Sequence, residues 1–151
     1  MSKAIVLSRV SSVGQDLSQQ TDEVLREAHK DGYTNRNIII IEDVESAIKL
    51  SEEERHGLNK MKDHINKNPK IECVYIYELS RLSRRQLVLF SIRDFLVERK
   101  IQLICLKPYF RLLEFNGEMS QTGSLRFYVK EIFIFVIYNQ PTVNNIQRWR
   151  K

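Results

Sequence analysis

Residues 4–15 read AIVLSRVSSVGQ, a short apolar run that ends in arginine, valine and serine. A second run of the same kind, CVYIYELSRLSR at residues 73–84, also ends in arginines beside small hydroxyl side chains. Apolar runs of this length, bounded by polar residues, are typical of buried β-strands. If the two strands lie side by side and parallel, their carboxyl ends share one crevice, where open α/β sheets place their ligands. The two runs therefore predict both a sheet and the position of its site.

Strand and helix patterns alternate along most of the chain. We predict strands at residues 3–8, 37–42, 72–77 and 101–106, and helices at 17–30, from 51 to before 69, and at 85–99. Ser51 and Glu54 form a capping box for the second helix, and residues 38–41, all isoleucine, predict a strand buried on both faces. Residues 109–113 are interpreted as a short edge strand. The pattern predicts an α/β fold, a mainly parallel four- to five-stranded sheet flanked by helices.

Composition sets the broad class. The chain has 151 residues, enough for one domain with a proper core, and a net charge of +5 that permits nucleic-acid binding without demonstrating it. Its most apolar stretch, residues 132–138, is far too short to span a membrane. Cys73 and Cys105 lie in strand-like runs, so we expect buried free thiols in a reducing cytoplasm. The cysteines and histidines lack metal-ligand spacing, so we expect no metal site.

A serine surrounded by arginines suits a phosphate. Arginine neutralises phosphate oxygens with a fixed fork of donors, and a serine hydroxyl among such donors can attack phosphorus and hold the product covalently. The candidates for this chemistry are Ser11, Ser12, Arg9, Arg55, Arg81 and Arg84, with Gln15 and Gln20 nearby. Each has an ordinary alternative, since Ser11 could simply cap the following helix and surface arginines are mostly solvated. Their occurrence at two strand ends of one predicted sheet favours the phosphate site.

Four segments resemble the catalytic domain of the serine site-specific recombinases, the resolvase/invertase family. Residues 5–15 resemble the amino-terminal signature that carries the nucleophilic serine, and residues 78–84 resemble the second motif, whose two arginines line the phosphate. ERHGL at residues 54–58 is similar to the segment with a further active-site arginine, and NGEM at 116–119 is similar to the loop before the dimerisation helix. The four matches occur in the family's order.

The resemblance implies a mechanism and partners. Ser11 would attack a DNA phosphodiester to give a 5′-phosphoserine link, while Arg9, Arg55, Arg81 and Arg84 would hold the phosphate. The supporting residues would be Gln15, Gln20, Ser12 and Ser80. Family members act on double-stranded DNA as dimers that form synaptic tetramers, and they use neither metal nor other cofactor. We therefore expect a DNA strand-cleaving and rejoining enzyme.

The chain departs from the family pattern at one position and in one segment. Ser80 stands where the family often has an aspartate before the arginine. Residues 1–126 match the catalytic domain, whereas residues 127–151 are expected to form an atypical, partial C-terminal helix without a separate DNA-reading domain. Two alternatives remain open at this point. One is a catalytically impaired remnant that only dimerises or binds DNA weakly, and the other is an unrelated flavodoxin-like domain that binds a phosphate-bearing ligand.

Overall fold

A computed structural model describes residues 1–11, 18–45, 56–124 and 127. The strands are β1 (Lys3–Ser11), β2 (Ile38–Glu45), β3 (Ile71–Ile76), β4 (Gln102–Leu106) and β5 (Tyr109–Arg111). The helices are α1 (Ser18–Lys30), α2 (His56–Lys67) and α3 (Gln86–Glu98), with a 3₁₀ turn at Leu79–Arg81. Residues 121–124 and 127 are also helical. The predicted capping box at Ser51 and the segment 128–151 lie outside the described residues.

The five strands form one sheet in the order β2-β1-β3-β4-β5. β1 pairs in parallel with both β2 and β3, and β3 pairs in parallel with β4. Only the last pair, β4 with β5, is antiparallel. This arrangement confirms the predicted α/β fold with a mainly parallel sheet, and it confirms that residues 109–111 form a short edge strand.

Helices cover both faces of the sheet. Successive side chains of a strand point to opposite faces, so one strand can contribute to a core cluster on each side. On the face with α2 and α3, Ile5 and Leu7 join the larger core cluster. On the face with α1, Ala4 and Val6 join a smaller cluster with Tyr75. β1, which lies between β2 and β3, is therefore buried on both faces, as its apolar sequence predicts.

The helices turn their apolar sides toward the sheet. Val24 and Ala28 of α1 are buried, as are Leu58, Met61 and Ile65 of α2 and Leu89, Ile92 and Leu96 of α3. Gly32 follows α1 with a φ of 96°, in the left-handed region where glycine is favoured, and it ends the helix.

β2 corrects one expectation. The four isoleucines predict a strand buried on both faces, but β2 lies at the edge of the sheet and Ile40 is 48% exposed. The reason is that α1 packs over β1 and β3, so the outer part of that face of β2 is not covered. The burial of β2 depends on its place in the strand order, which the isoleucine run does not reveal.

Both cysteines are buried free thiols in the structure, as predicted. Burial raises the pKa of the Cys73 thiol to about 12, so this side chain stays protonated at neutral pH. Within the described ranges, none of the helices combines the length and the apolar character needed to cross a bilayer.

Candidate active site at the carboxyl ends of two strands

The two motif-bearing strands are neighbours. β1 and β3 pair in parallel from Ala4–Cys73 to Val6–Tyr75, so their carboxyl ends lie at the same edge of the sheet. β1 continues to Ser11, three residues beyond its predicted end, because the main chain of Arg9 and Ser11 still pairs with β2. The 3₁₀ turn that follows β3 also contacts β1. The structure therefore creates the shared crevice that the sequence predicts.

Arg81 is anchored in this crevice by two side-chain contacts. Its Nη2 donates a hydrogen bond to Oε1 of Gln20 at 3.0 Å and lies 3.3 Å from Oε1 of Glu78. Only 14% of the Arg81 side chain is exposed. Gln20 comes from the first turn of α1, which follows the β1 loop in the chain, so the two motif regions meet through this contact.

Glu78 links Arg81 to Ser80. The Ser80 hydroxyl donates to Oε1 of Glu78 at 2.7 Å, and this is the same oxygen that faces Arg81. Sequence reasoning missed Glu78 as a site residue. Its position three residues before Arg81 was the available signal, since side chains at that spacing in a helical turn lie close together.

A second contact holds the start of α1 against β1. Ser8, near the end of the apolar run of β1, is buried, and its hydroxyl lies 2.6 Å from Oγ1 of Thr21. Ser8, Gln20, Thr21, Tyr77 and Arg81 line one small pocket at this edge of the sheet. Ser8 and Thr21 were not among the predicted site residues.

Arg84 lies in the loop between the 3₁₀ turn and α3, and it is exposed. The neighbouring Ser83 is fully buried, and its hydroxyl accepts a hydrogen bond from the backbone N–H of Arg85 at 2.9 Å. This contact shapes the entry into α3 and presents Arg84 toward solvent at the same end of β3.

Apart from the exposed Arg84, the predicted site residues fall into three groups. Gln20, Ser80 and Arg81 are brought together by direct contacts or through Glu78. Arg9 and Ser11 occupy the adjacent strand end, where the structure describes their main chain. Ser12, Gln15 and Arg55 lie outside the described residues. The roles of all these residues in catalysis stay predictions.

The family model described as "Resolvase, N terminal domain" matches residues 4–125. Among solved structures, the chain is similar to the N-terminal catalytic domain of TP901-1 integrase, with a TM-score of 0.62 and 23% identity over 93% of this chain and 100% of that one. It is also similar to a resolvase family site-specific recombinase from Streptococcus pneumoniae, with a TM-score of 0.61 and 20% identity over 100% of both chains. The comparison with curated proteins found no match.

At these identities the structural likeness shows the fold, while the family match runs from Ala4, the second residue of β1, past β5 to residue 125. That stretch includes both strand ends and the Arg81 turn. The chain belongs to the resolvase N-terminal domain family.

Proposed function

We propose that this protein cleaves and rejoins DNA strands with Ser11 as the nucleophile. The observation that carries the proposal is the meeting of the two strand ends: β1, which ends at Ser11, lies beside β3, whose following turn holds Arg81 against Gln20 and Glu78. Membership of the resolvase family associates the chain with site-specific recombination in general. It also makes the alternative of an unrelated flavodoxin-like domain wrong.

The chemistry requires neutralisation of the phosphate. The Ser11 hydroxyl would lose its proton as its oxygen forms a bond to phosphorus, the bond to the 3′ oxygen would break, and that oxygen would take up a proton and leave as a 3′ hydroxyl. Arg9, Arg55, Arg81 and Arg84 would stabilise the negative charge that grows on the phosphate oxygens in the transition state. Ser12, Gln15, Gln20 and Ser80 would support these groups.

Rejoining is the reverse reaction. A 3′ hydroxyl from the same or another strand would attack the 5′-phosphoserine and release Ser11. Each step exchanges one phosphate ester for another, so strand exchange needs no ATP. For exchange between two duplexes, we propose that the protein acts as a dimer and that two dimers pair into a synaptic tetramer on double-stranded DNA.

A denaturing-gel assay of the full chain tests the proposal. The substrate is a pool of random-sequence duplexes labelled at the 3′ end, because a 5′-phosphoserine link leaves the protein joined to the strand that carries this label. We expect a labelled band of low mobility that protease treatment removes. A matched pool labelled at the 5′ end should instead release shorter fragments that end in a free 3′ hydroxyl.

The neighbouring serine provides the matched control. Ser11→Ala should abolish the covalent band, whereas Ser12→Ala should retain it. A covalent band that depends on Ser12 and survives in Ser11→Ala would show that the nucleophile has been misassigned by one position. If the unaltered chain binds DNA but forms no covalent band, the protein is a catalytically impaired member that only binds or dimerises.

A further inference from the structure

We propose that Glu78 is a positioning residue that sets the orientation of the Arg81 guanidinium toward the DNA phosphate. This inference rests on the proposed function. Glu78 itself would not touch the DNA. It would act through Arg81, together with Gln20, and it would be held in place by Ser80.

Two side chains hold one nitrogen of the Arg81 guanidinium. Gln20 and Glu78 both contact Nη2 of Arg81, at 3.0 and 3.3 Å. The guanidinium group is planar and rigid, so fixing one of its nitrogens from two directions limits the directions in which the others point. Gln20 belongs to α1 and Glu78 follows β3, so the two contacts also tie the arginine to two separate elements.

The Glu78 carboxylate is itself restrained. The Ser80 hydroxyl donates to Oε1 of Glu78 at 2.7 Å, and this oxygen also faces Arg81. An exposed ion pair three residues apart usually contributes little, because both side chains are free to move in water. Here 14% of the Arg81 side chain and 39% of the Glu78 side chain are exposed, and a hydroxyl fixes the acceptor. The Arg81–Glu78 ion pair is therefore held in one orientation.

Position 80 holds Ser80, where the resembled family often has an aspartate. In this chain the carboxylate beside Arg81 is that of Glu78, two residues earlier, and Ser80 donates a hydrogen bond to it.

The test measures the rate of covalent-adduct formation with the 3′-labelled duplex pool, as a function of DNA concentration. Glu78→Gln keeps the side-chain length but removes the charge. We expect the rate at saturating DNA to fall about 10- to 100-fold, the range for a misplaced catalytic group, while the half-saturating DNA concentration changes less than about threefold. Adding Ser80→Asp to Glu78→Gln returns a carboxylate beside Arg81 and should restore most of the rate.

Glu98→Gln is the matched control for the change in net charge. Glu98 pairs with Arg99 at 3.9 Å on α3, away from the strand ends, so its loss should leave the adduct rate unchanged. Thermal unfolding of every variant separates effects on stability from effects on the rate. An adduct rate in Glu78→Gln equal to that of the unaltered chain would overturn the proposal. A slower rate that follows lost stability, with no recovery from Ser80→Asp, would also overturn it.

A second readout does not depend on DNA cleavage. In ¹⁵N-arginine NMR spectra of the full chain, assigned with Arg81→Lys, hindered rotation of the Arg81 Nη groups should be lost in Glu78→Gln and kept in Glu98→Gln. If this result is obtained but no variant forms an adduct, the proposed function fails while the positioning of Arg81 by Glu78 holds. If Arg81 rotates freely in the unaltered chain, the positioning role is wrong.

Discussion

Two arginine–carboxylate pairs of this protein have the same separation but belong to different regions. Arg81 lies 3.3 Å from Glu78 at the carboxyl ends of the parallel strands, and Arg111 lies 3.3 Å from Asp31 at the edge strand β5. The side chain of Arg111 is 47% exposed, whereas that of Arg81 is 14% exposed. The distance between charges therefore does not distinguish the pairs. Their position relative to the strand ends does.

The Arg111 pair is part of a network that joins elements of the fold. The Tyr75 hydroxyl donates to Asp31 at 2.6 Å, and Nε of Arg111 donates to the Tyr109 hydroxyl at 3.1 Å. Burial raises the pKa of Tyr75, so its hydroxyl remains a donor. The network connects the end of α1, the middle of β3 and the edge strand. We infer that it stabilises the fold, while the Arg81 network serves the proposed chemistry.

The largest expected effect comes from removing Arg81, and the removal of Arg111 serves as the comparison. Arg81→Ala should lower the rate of covalent-adduct formation by about 100- to 1000-fold, because one preorganised donor to the transition state contributes that much. Arg111→Ala should leave the rate within about twofold and lower the free energy of unfolding by at most about 1 kcal/mol, as for other exposed pairs. The adduct assay and thermal unfolding measure the two effects. Equal loss of activity in both variants would erase the distinction between the regions.

A smaller effect is expected from the partner of Arg81 on α1. Gln20→Ala removes the 3.0 Å hydrogen bond to Nη2 and should slow adduct formation about tenfold, since a hydrogen bond to a charged group is worth about 1.5–3 kcal/mol. The adjacent Gln19 is exposed, so Gln19→Ala is the matched control and should leave the rate unchanged. If the two variants have the same rate, Gln20 does not help to hold Arg81.

In the other network, the expected effect is on stability alone. Tyr75→Phe removes a buried hydroxyl that donates to Asp31, and we expect the free energy of unfolding to fall by about 1–2 kcal/mol with no change in adduct rate. Tyr109→Phe, at a half-exposed position, should cost less than about 0.5 kcal/mol. Chemical denaturation measures both values. A slower adduct reaction in Tyr75→Phe would mean that this network also reaches the site.

Much of the fold follows from one-dimensional patterns. The alternation of apolar strands with amphipathic helices predicts the parallel sheet, and the buried positions of α1, α2 and α3 follow from helical spacing. Two features do not follow. The run of isoleucines does not reveal that β2 is an edge strand, and the polar residues at the end of β1 hide the continued main-chain pairing of Arg9 to Ser11.

For the site, the sequence predicts which arginines and which serine to consider and that two strand ends meet. It does not predict Thr21, because the contact of Thr21 with Ser8 joins two elements 13 positions apart. Glu78 was missed although it lies only three residues before Arg81, because that spacing does not show which oxygen faces the guanidinium. Gln20 was predicted from its nearness to the first motif, whereas its contact with Arg81 joins residues 61 positions apart. Side-chain pairing of this kind requires the three-dimensional structure.

The smallest expected effect on stability at neutral pH concerns the Cys73 thiol. Cys73 belongs to the same buried cluster as Tyr75, and burial raises its pKa to about 12 from an ordinary value of 9.0. The thiolate population of the folded chain at pH 8 is therefore roughly 1000-fold lower than that of the unfolded chain. Because the folded pKa is the higher one, this thiol costs no stability below pH 9, and stability falls only as the pH rises from there toward 12. Iodoacetamide at pH 8, followed by peptide mass spectrometry, should label Cys73 in guanidinium chloride but not in the native chain. Rapid native labelling of Cys73 would show that the Tyr75 region opens, and the stabilising role of its network would then be wrong.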